Sequence, residues 1–187
     1  MKCVILCGGR GVIDPETRQR IPKALMQIGG RPLIWHVMKT FAAAGFKYFI
    51  LALGEGGNLI RQYFSYHHFY ARDIALDTDS NQIEYLTQSA EENWHIKLVD
   101  TGLNASTGSR IARCHRYIVN QDFFVTYSDC LCNVNLAELV ATHKASDKVI
   151  TVTGVQPSSR FGTFSMSGKK VDGCTIDAKL LKLAAAL

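Results

Sequence analysis

The residues of this chain best suited to chemistry are Gly8, Gly9 and Gly11, the Pro22-Lys23 pair and the Ser128-Asp129 pair. The glycines lie in VILCGGRG, where a β-branched apolar run breaks into a turn. Without side chains they leave the backbone open, so successive N–H groups can converge on the oxygens of an anion as a nest. Lys23, fixed by the proline before it, can add a full positive charge beside that nest. Asp129 offers a hard oxygen donor of the kind a divalent cation takes. Each feature also has a plain structural reading. Tight strand-to-loop turns use glycine with no ligand present, a lone lysine is commonly solvated, and Asp after a strand commonly caps a turn.

These residues need elements to position them, and the apolar pattern supplies a series. KCVILC at 2–7 is a short continuous apolar run closed by glycine, as a buried parallel strand reads. A helix starts near Pro32, with Leu33, Val37, Phe41 and Ala44 at helical spacing and Gly45 as its stop. YFILALG is a second buried strand, and NLIRQYFSYH returns to helical period. Between Asp73 and Asp100 the pieces DIALDT, QIEYL and HIKLVDTG read as strands that extend the sheet or form an arm. A helix begins at Thr107 or Ser109, facing Ile111, Cys114 and Ile118 inward and Arg110, Arg113 and Arg116 outward. FFVTYSDC is a third buried strand with a polar tip, LAELVATHKAS a helix and KVITVTGV a fourth strand. The alternation predicts a Rossmann-like α/β fold, a mostly parallel sheet with helices on both faces.

Composition narrows the class. The chain has 187 residues, 47% hydrophobic and 20% charged, with mean hydropathy near zero, which suits one globular domain over residues 1–182. The final KLAAAL, residues 182–187, reads as a vector-derived tail and is set aside from fold reasoning. A net charge of +5 spread over scattered Lys and Arg is no nucleic-acid stripe, and suits an anionic small molecule better. No apolar run has the length of a membrane span and no leader peptide is evident, so the expected location is the cytoplasm. The six cysteines read as reduced thiols. Cys130 and Cys132 lack the spacing of a zinc knuckle. Adjacent His67 and His68, inside the aromatic stretch 63–70, diverge on a helix or strand and read as interface or loop residues.

In an open parallel sheet ligands bind at the carboxyl ends of the strands, and this rule brings the glycine loop and the Ser128-Asp129 tip to one edge. A glycine turn for a triphosphate and a carboxylate for a divalent cation are what nucleotidyl transfer requires. At these residues the chain resembles the sugar-nucleotide pyrophosphorylases, and within them the glucose-1-phosphate cytidylyltransferases. The blocks VILCGGRG, PK at 22–23, IGGRPLIWHVMK at 28–39, FILALGEGG, KLVDTG, TGSR, FVTYSD and VTGVQPSSRFG at 152–162 carry the resemblance.

The resemblance implies transfer of a cytidylyl group from CTP to a sugar 1-phosphate, with Mg²⁺ as cofactor and a homo-oligomeric assembly. It also implies that Leu6, Cys7, Gly8, Gly9, Arg10 and Gly11 form the nucleotide loop. Lys23 would steady phosphate charge, Thr107 and Arg110 would contact the nucleotide, Ser128 would stand beside it, and Asp129 would bind the metal. Lys23 and Asp129 would be the catalytic pair. The chain departs from the family pattern at Val12-Ile13, where the family has Thr-Arg. A shortened, catalytically impaired nucleotide-binding or assembly protein of the same fold is therefore the alternative reading.

Overall fold

Alternation along the first apolar run decides how the molecule is layered. The computed structural model describes the chain apart from residues 16, 71–72, 88–92, 155–162, 168–169, 176–184 and 187. Strand β1 (Lys2–Cys7) sends Cys3, Ile5 and Cys7 to one face and Val4 and Leu6 to the other, as the two-residue period of a strand demands. Both sets are buried, so both faces need cover.

The first face packs on helix α1 (Leu33–Ala43), through Ile34, Val37, Met38 and Phe41, with Ile60 of α2 (Gly57–Tyr70) and Leu136 of α4 (Leu136–Lys144). The second packs on α3 (Thr107–Ile118) through Cys114 and Ile118. Helix α1 begins and ends close to where the sequence predicts, after Pro32 and before Gly45, whose φ of +90° suits the residue that ends a helix.

Strands β2 (Tyr48–Leu53), β3 (His95–Asp100) and β4 (Phe123–Tyr127) complete the parallel part of the sheet. The order is β4, β1, β2, β3, all four parallel. Val4, Ile50 and Val125 share one register line, and the strands end nearly flush, Cys7 beside Leu53 and Leu53 beside Asp100. The chain thus builds outward from β1 to β3, then crosses back to place β4 on β1's other side. That reversal opens a crevice between the carboxyl ends of β1 and β4.

Beyond β4 the sheet differs from expectation. Of the expected fourth strand KVITVTGV, Thr151–Val152 pairs, antiparallel to Ala185–Ala186, and residue 155 lies outside the described residues. Ala185–Ala186 in turn pairs antiparallel with Val125 and Phe124, so part of the KLAAAL segment that the sequence reading set aside holds a strand position. Strand pairing uses main-chain groups, which alanine supplies as well as any residue, so hydropathy reading does not reveal it. Between α2 and β3, Ile74–Asp77 and Gln82–Tyr85 pair as a hairpin of their own, the arm of the sequence reading. Thr163–Ser167 and Lys170–Thr175 form another hairpin outside the main sheet. His67 lies within α2 rather than in a loop.

Candidate active site

The crevice between β1 and β4 is where the predicted residues meet. Leu6 and Tyr127 are register partners, and the Ser128 N–H donates to the Leu6 carbonyl at 3.2 Å, so the loops after the two strands leave side by side. Between them opens a cavity of about 480 Å³. Its wall includes the whole run Leu6 to Gly11, then Lys23, Thr107, Arg110, Ser128 and Asp129. Every residue singled out in the sequence for nucleotide or metal binding lines this one space. Pro22, paired with Lys23 in the sequence, also lines it, as do Ala24, Ala105, Ser106 and Tyr127, which were not foreseen. They flank predicted residues in the chain, and Ser106 had a signal of its own, a serine directly before the helical TGSR.

The three glycines of the loop turn out to serve three purposes. Gly11 has φ +70°, and a Cβ there would stand 2.4 Å from the Ile21 carbonyl oxygen, so backbone geometry demands it. Gly8 makes room for a guanidinium: a Cβ would lie 2.1 Å from Cζ of Arg110. Gly9 alone has nothing within 4 Å of its Cβ position, an open approach to the backbone.

Past Gly11 the loop becomes a short hairpin, Val12 opposite Ile21 and Ile13 opposite Arg20. The β-branched pair Val12-Ile13 favours this extended pairing. The guanidinium of Arg20 donates to the Arg10 carbonyl at 2.9 Å, tying the hairpin to the loop.

Lys23 opens a 3₁₀ turn (Lys23–Leu25) behind Pro22. Pro22 sits against Gly56 of the loop after β2, where a Cβ would meet Pro22 Cγ at 2.6 Å. So anchored, Lys23 reaches across the cavity and its Nζ donates to Asp129 Oδ2 at 3.3 Å. The lysine side chain is 44% exposed and the aspartate 16%.

Helix α3 starts at Thr107 with Ser106 as its cap, the serine Oγ accepting from the Ser109 N–H. Arg110 corrects the sequence reading, which put it on the solvated face with Arg113 and Arg116. It is only 5% exposed, because positions 110, 114 and 118 form one helical stripe and Cys114 and Ile118 are core. Its Nη1 donates to the carbonyls of Leu53 (3.1 Å) and Gly102 (2.7 Å) and to Thr101 Oγ1 (2.7 Å). Its Nη2 donates to the carbonyls of Gly8 (3.2 Å) and Leu103 (3.0 Å). Burial lowers its pKa, and the Arg113 cation beside it lowers it further, while Cys7 and Asp100 act the other way. Arg113 in turn donates to the Thr101 carbonyl.

Cys7, at the cavity floor, is 3% exposed, and burial pushes its thiol up to about 12, against the opposing pull of the Ser128 hydroxyl and the Arg110 charge. It remains a neutral thiol near neutral pH and provides no nucleophile.

The donor set bears on what cation the cavity could hold. Among the described residues no three His, Cys, Asp or Glu side chains cluster, and of the described residues in the cavity wall Asp129 is the one carboxylate. A carboxylate at that place fits a hard divalent cation that keeps several waters and is completed by substrate phosphates.

The nucleotidyl transferase family model matches residues 2–175. The chain belongs to the nucleotidyl transferase family. Relatives within that family include the probable glucose-1-phosphate cytidylyltransferase of Bacillus subtilis, 39% identical over 89% of this chain and 65% of the relative. The glucose-1-phosphate cytidylyltransferase of Salmonella typhi is 34% identical over 91% of this chain and 66% of its own length. The chain thus spans just under two thirds of these relatives. Nucleotidyl transferase folds of known structure agree. HddC from Yersinia pseudotuberculosis complexed with GMP-PN superposes with a TM-score of 0.66 at 20% identity, covering 99% of this chain and 72% of that one. The UTP-bound UGPase from Acinetobacter baumannii gives 0.61 at 16% identity, over 99% of this chain and 71% of that one. These two likenesses bear on the fold, an α/β sheet with helices as read from the sequence.

Proposed function

We propose that this chain transfers a cytidylyl group from CTP to a hexose 1-phosphate, glucose 1-phosphate, with release of pyrophosphate. The observation that carries the reading is the cavity at the β1/β4 reversal, which collects the glycine loop, a lysine and a carboxylate in a chain 39% identical to a probable glucose-1-phosphate cytidylyltransferase. In this reading the main-chain N–H groups of Leu6 to Gly11 receive the triphosphate, with Gly9 giving the open approach. Thr107 and Ser128 border the nucleotide. The sugar phosphate oxygen attacks the α-phosphorus as the bond to the β-phosphate oxygen breaks, and pyrophosphate leaves with that electron pair.

Lys23 supplies positive charge where it develops on the transferring group. Asp129 would hold Mg²⁺, which when bound neutralises the phosphate oxygens. Lys23 and Asp129 pair with each other at 3.3 Å. In the ternary complex each would exchange that partner, the lysine for phosphate and the aspartate for the cation. Reduced thiols at Cys3, Cys7, Cys114, Cys130 and Cys132 support a cytoplasmic setting. No described helix is long and apolar enough to cross a membrane. The uncovered apolar side chains of Leu76 and Ile83, register partners on the arm, support self-association.

A second reading, a nucleotide-binding relative with little turnover, is favoured by one feature. Ile13 stands 53% exposed in the hairpin where the family pattern has arginine. Pyrophosphate release from CTP with glucose 1-phosphate and Mg²⁺, set beside calorimetric titration of CTP alone, separates the two. Release at a steady rate supports transfer; CTP binding without release refutes it and leaves the second reading.

A further inference from the structure

Arg110 is a buried cation held by uncharged acceptors. Its four terminal Nη hydrogens are aimed at five oxygens, so at least one is shared and both Nη groups are fully engaged within the protein. The acceptors come from the carboxyl ends of three neighbouring strands: Gly8 after β1, Leu53 at the end of β2, and Thr101, Gly102 and Leu103 after β3. The guanidinium fits between two glycines. A Cβ at Gly8 would lie 2.1 Å from its Cζ, and a Cβ at Gly54 would lie 2.7 Å from Nη1. Glycine at 8 and 54 and arginine at 110 are therefore one device, though they are far apart in the chain.

We propose that Arg110 is a positioning residue, a clasp that fixes the Gly8 carbonyl and with it the amides of the Gly8 to Gly11 loop. The planar peptide sets the Gly9 N–H opposite the Gly8 carbonyl, so fixing that carbonyl fixes the direction of the next amide of the loop. Because no carboxylate among these five partners neutralises the guanidinium, its charge also biases the loop toward anions. Lysine cannot replace it, since a single ammonium with three donors cannot reach acceptors spread over three strand ends.

The role as a nucleotide positioner rests on the function proposed above, but the clasp itself can be tested on the ligand-free protein. Hydrogen–deuterium exchange on the full chain and its Arg110→Lys variant should show faster exchange confined to the segments around residues 6–11, 53–56 and 101–103, with the amides of α1 and α4 unchanged. In Arg110→Ala, added millimolar guanidinium should restore protection to those segments; in Gly8→Ala, where the slot is filled, it should not. Where CTP binds the unaltered protein, Arg110→Lys should weaken it by about 10- to 100-fold, the loss of one or two charge-assisted hydrogen bonds.

Unchanged exchange in the three segments would overturn the clasp, and together with weakened CTP binding would leave Arg110 a nucleotide contact and nothing more. Exchange that rises throughout the molecule would overturn it in favour of a general structural role, as would failure of guanidinium to rescue Arg110→Ala. If CTP does not bind the unaltered chain, the exchange and rescue results still decide the clasp, while the nucleotide reading fails separately.

Discussion

Lys23 Nζ and Asp129 Oδ2 stand 3.3 Å apart across the mouth of the crevice, joining the loop behind Pro22 to the tip of β4. The pair closes a span of 106 residues in sequence, yet its lysine is 44% exposed, and a pair so open to water adds only about 0–1 kcal/mol to stability. Its position at the cavity therefore points to chemistry. We expect Asp129→Asn and Lys23→Met each to unfold within about 1 kcal/mol of the parent in urea. Pyrophosphate release should fall about 100- to 1,000-fold in each, the usual cost of removing a charge that acts in the transition state. Urea melts and a coupled pyrophosphate assay read the two effects. A large stability loss with turnover retained would mean that the pair is structural.

The glycine loop gives a sharper contrast, because Gly9 and Gly11 differ only in what surrounds them. Gly11→Ala must relieve both a φ of +70° and a 2.4 Å approach to the Ile21 oxygen, so it should cost about 1–3 kcal/mol of stability. Gly9→Ala meets no atom within 4 Å and should melt with the parent. Its methyl group nevertheless stands where a phosphate would approach, so CTP affinity should drop at least about tenfold. Thermal melts with and without CTP and Mg²⁺ check both. Equal effects of the two substitutions would show that the loop is a turn and nothing more.

Much of this arrangement was legible before any coordinates. The alternation of apolar strands and periodic helices is a long, redundant signal, and it placed α1, α3, α4 and four strands of the sheet. The rule that sites form at strand carboxyl ends then brought Gly8 to Gly11 and Asp129 together, as the Ser128–Leu6 hydrogen bond confirms. What escaped was carried by main-chain geometry or by a polar group in an apolar place. The pairing of Ala185–Ala186 with β4 has no side-chain signature. Arg110 escaped because arginine is ordinarily exposed, so its membership of the 110, 114, 118 stripe was outweighed by its charge. The clue in the sequence was negative: a second glycine at 54 directly after a buried strand, matching Gly8, leaves room for something large between them.

Val12-Ile13 is open to a direct gain-of-function test. Ile13 is 53% exposed and opposite Arg20, so an arginine there meets solvent rather than core. Val12→Thr with Ile13→Arg restores the family pattern at a cost of about 0.5 kcal/mol or less, as for surface changes generally. If a missing cation limits turnover, the double variant should release pyrophosphate about tenfold faster or more, with CTP affinity changed less. An unchanged or lower rate would show that a missing cation at position 13 is not what limits turnover in the hairpin, where Arg20 is tied to the Arg10 carbonyl.

Alkaline pH should report on the cavity floor. Cys7 is raised from an ordinary 9.0 to about 12, first by burial, so between those values the folded chain holds a proton that the unfolded chain has lost. Stability from this thiol is therefore complete below about pH 9 and declines as pH rises toward 12. Cys3 is shifted in the same direction and adds to the slope, and lysines and tyrosines titrate in this range too, so the informative quantity is a difference. Urea midpoints of the parent and of Cys7→Ala, followed from about pH 8 upward, should converge as pH rises, because the variant lacks the proton-linked contribution of this thiol. At about pH 8 iodoacetamide should modify the exposed Cys132 and spare Cys7 in the folded protein. Parallel pH profiles, or prompt alkylation of Cys7, would show that water reaches the floor of the crevice and that its thiol ionises as freely as one in solution.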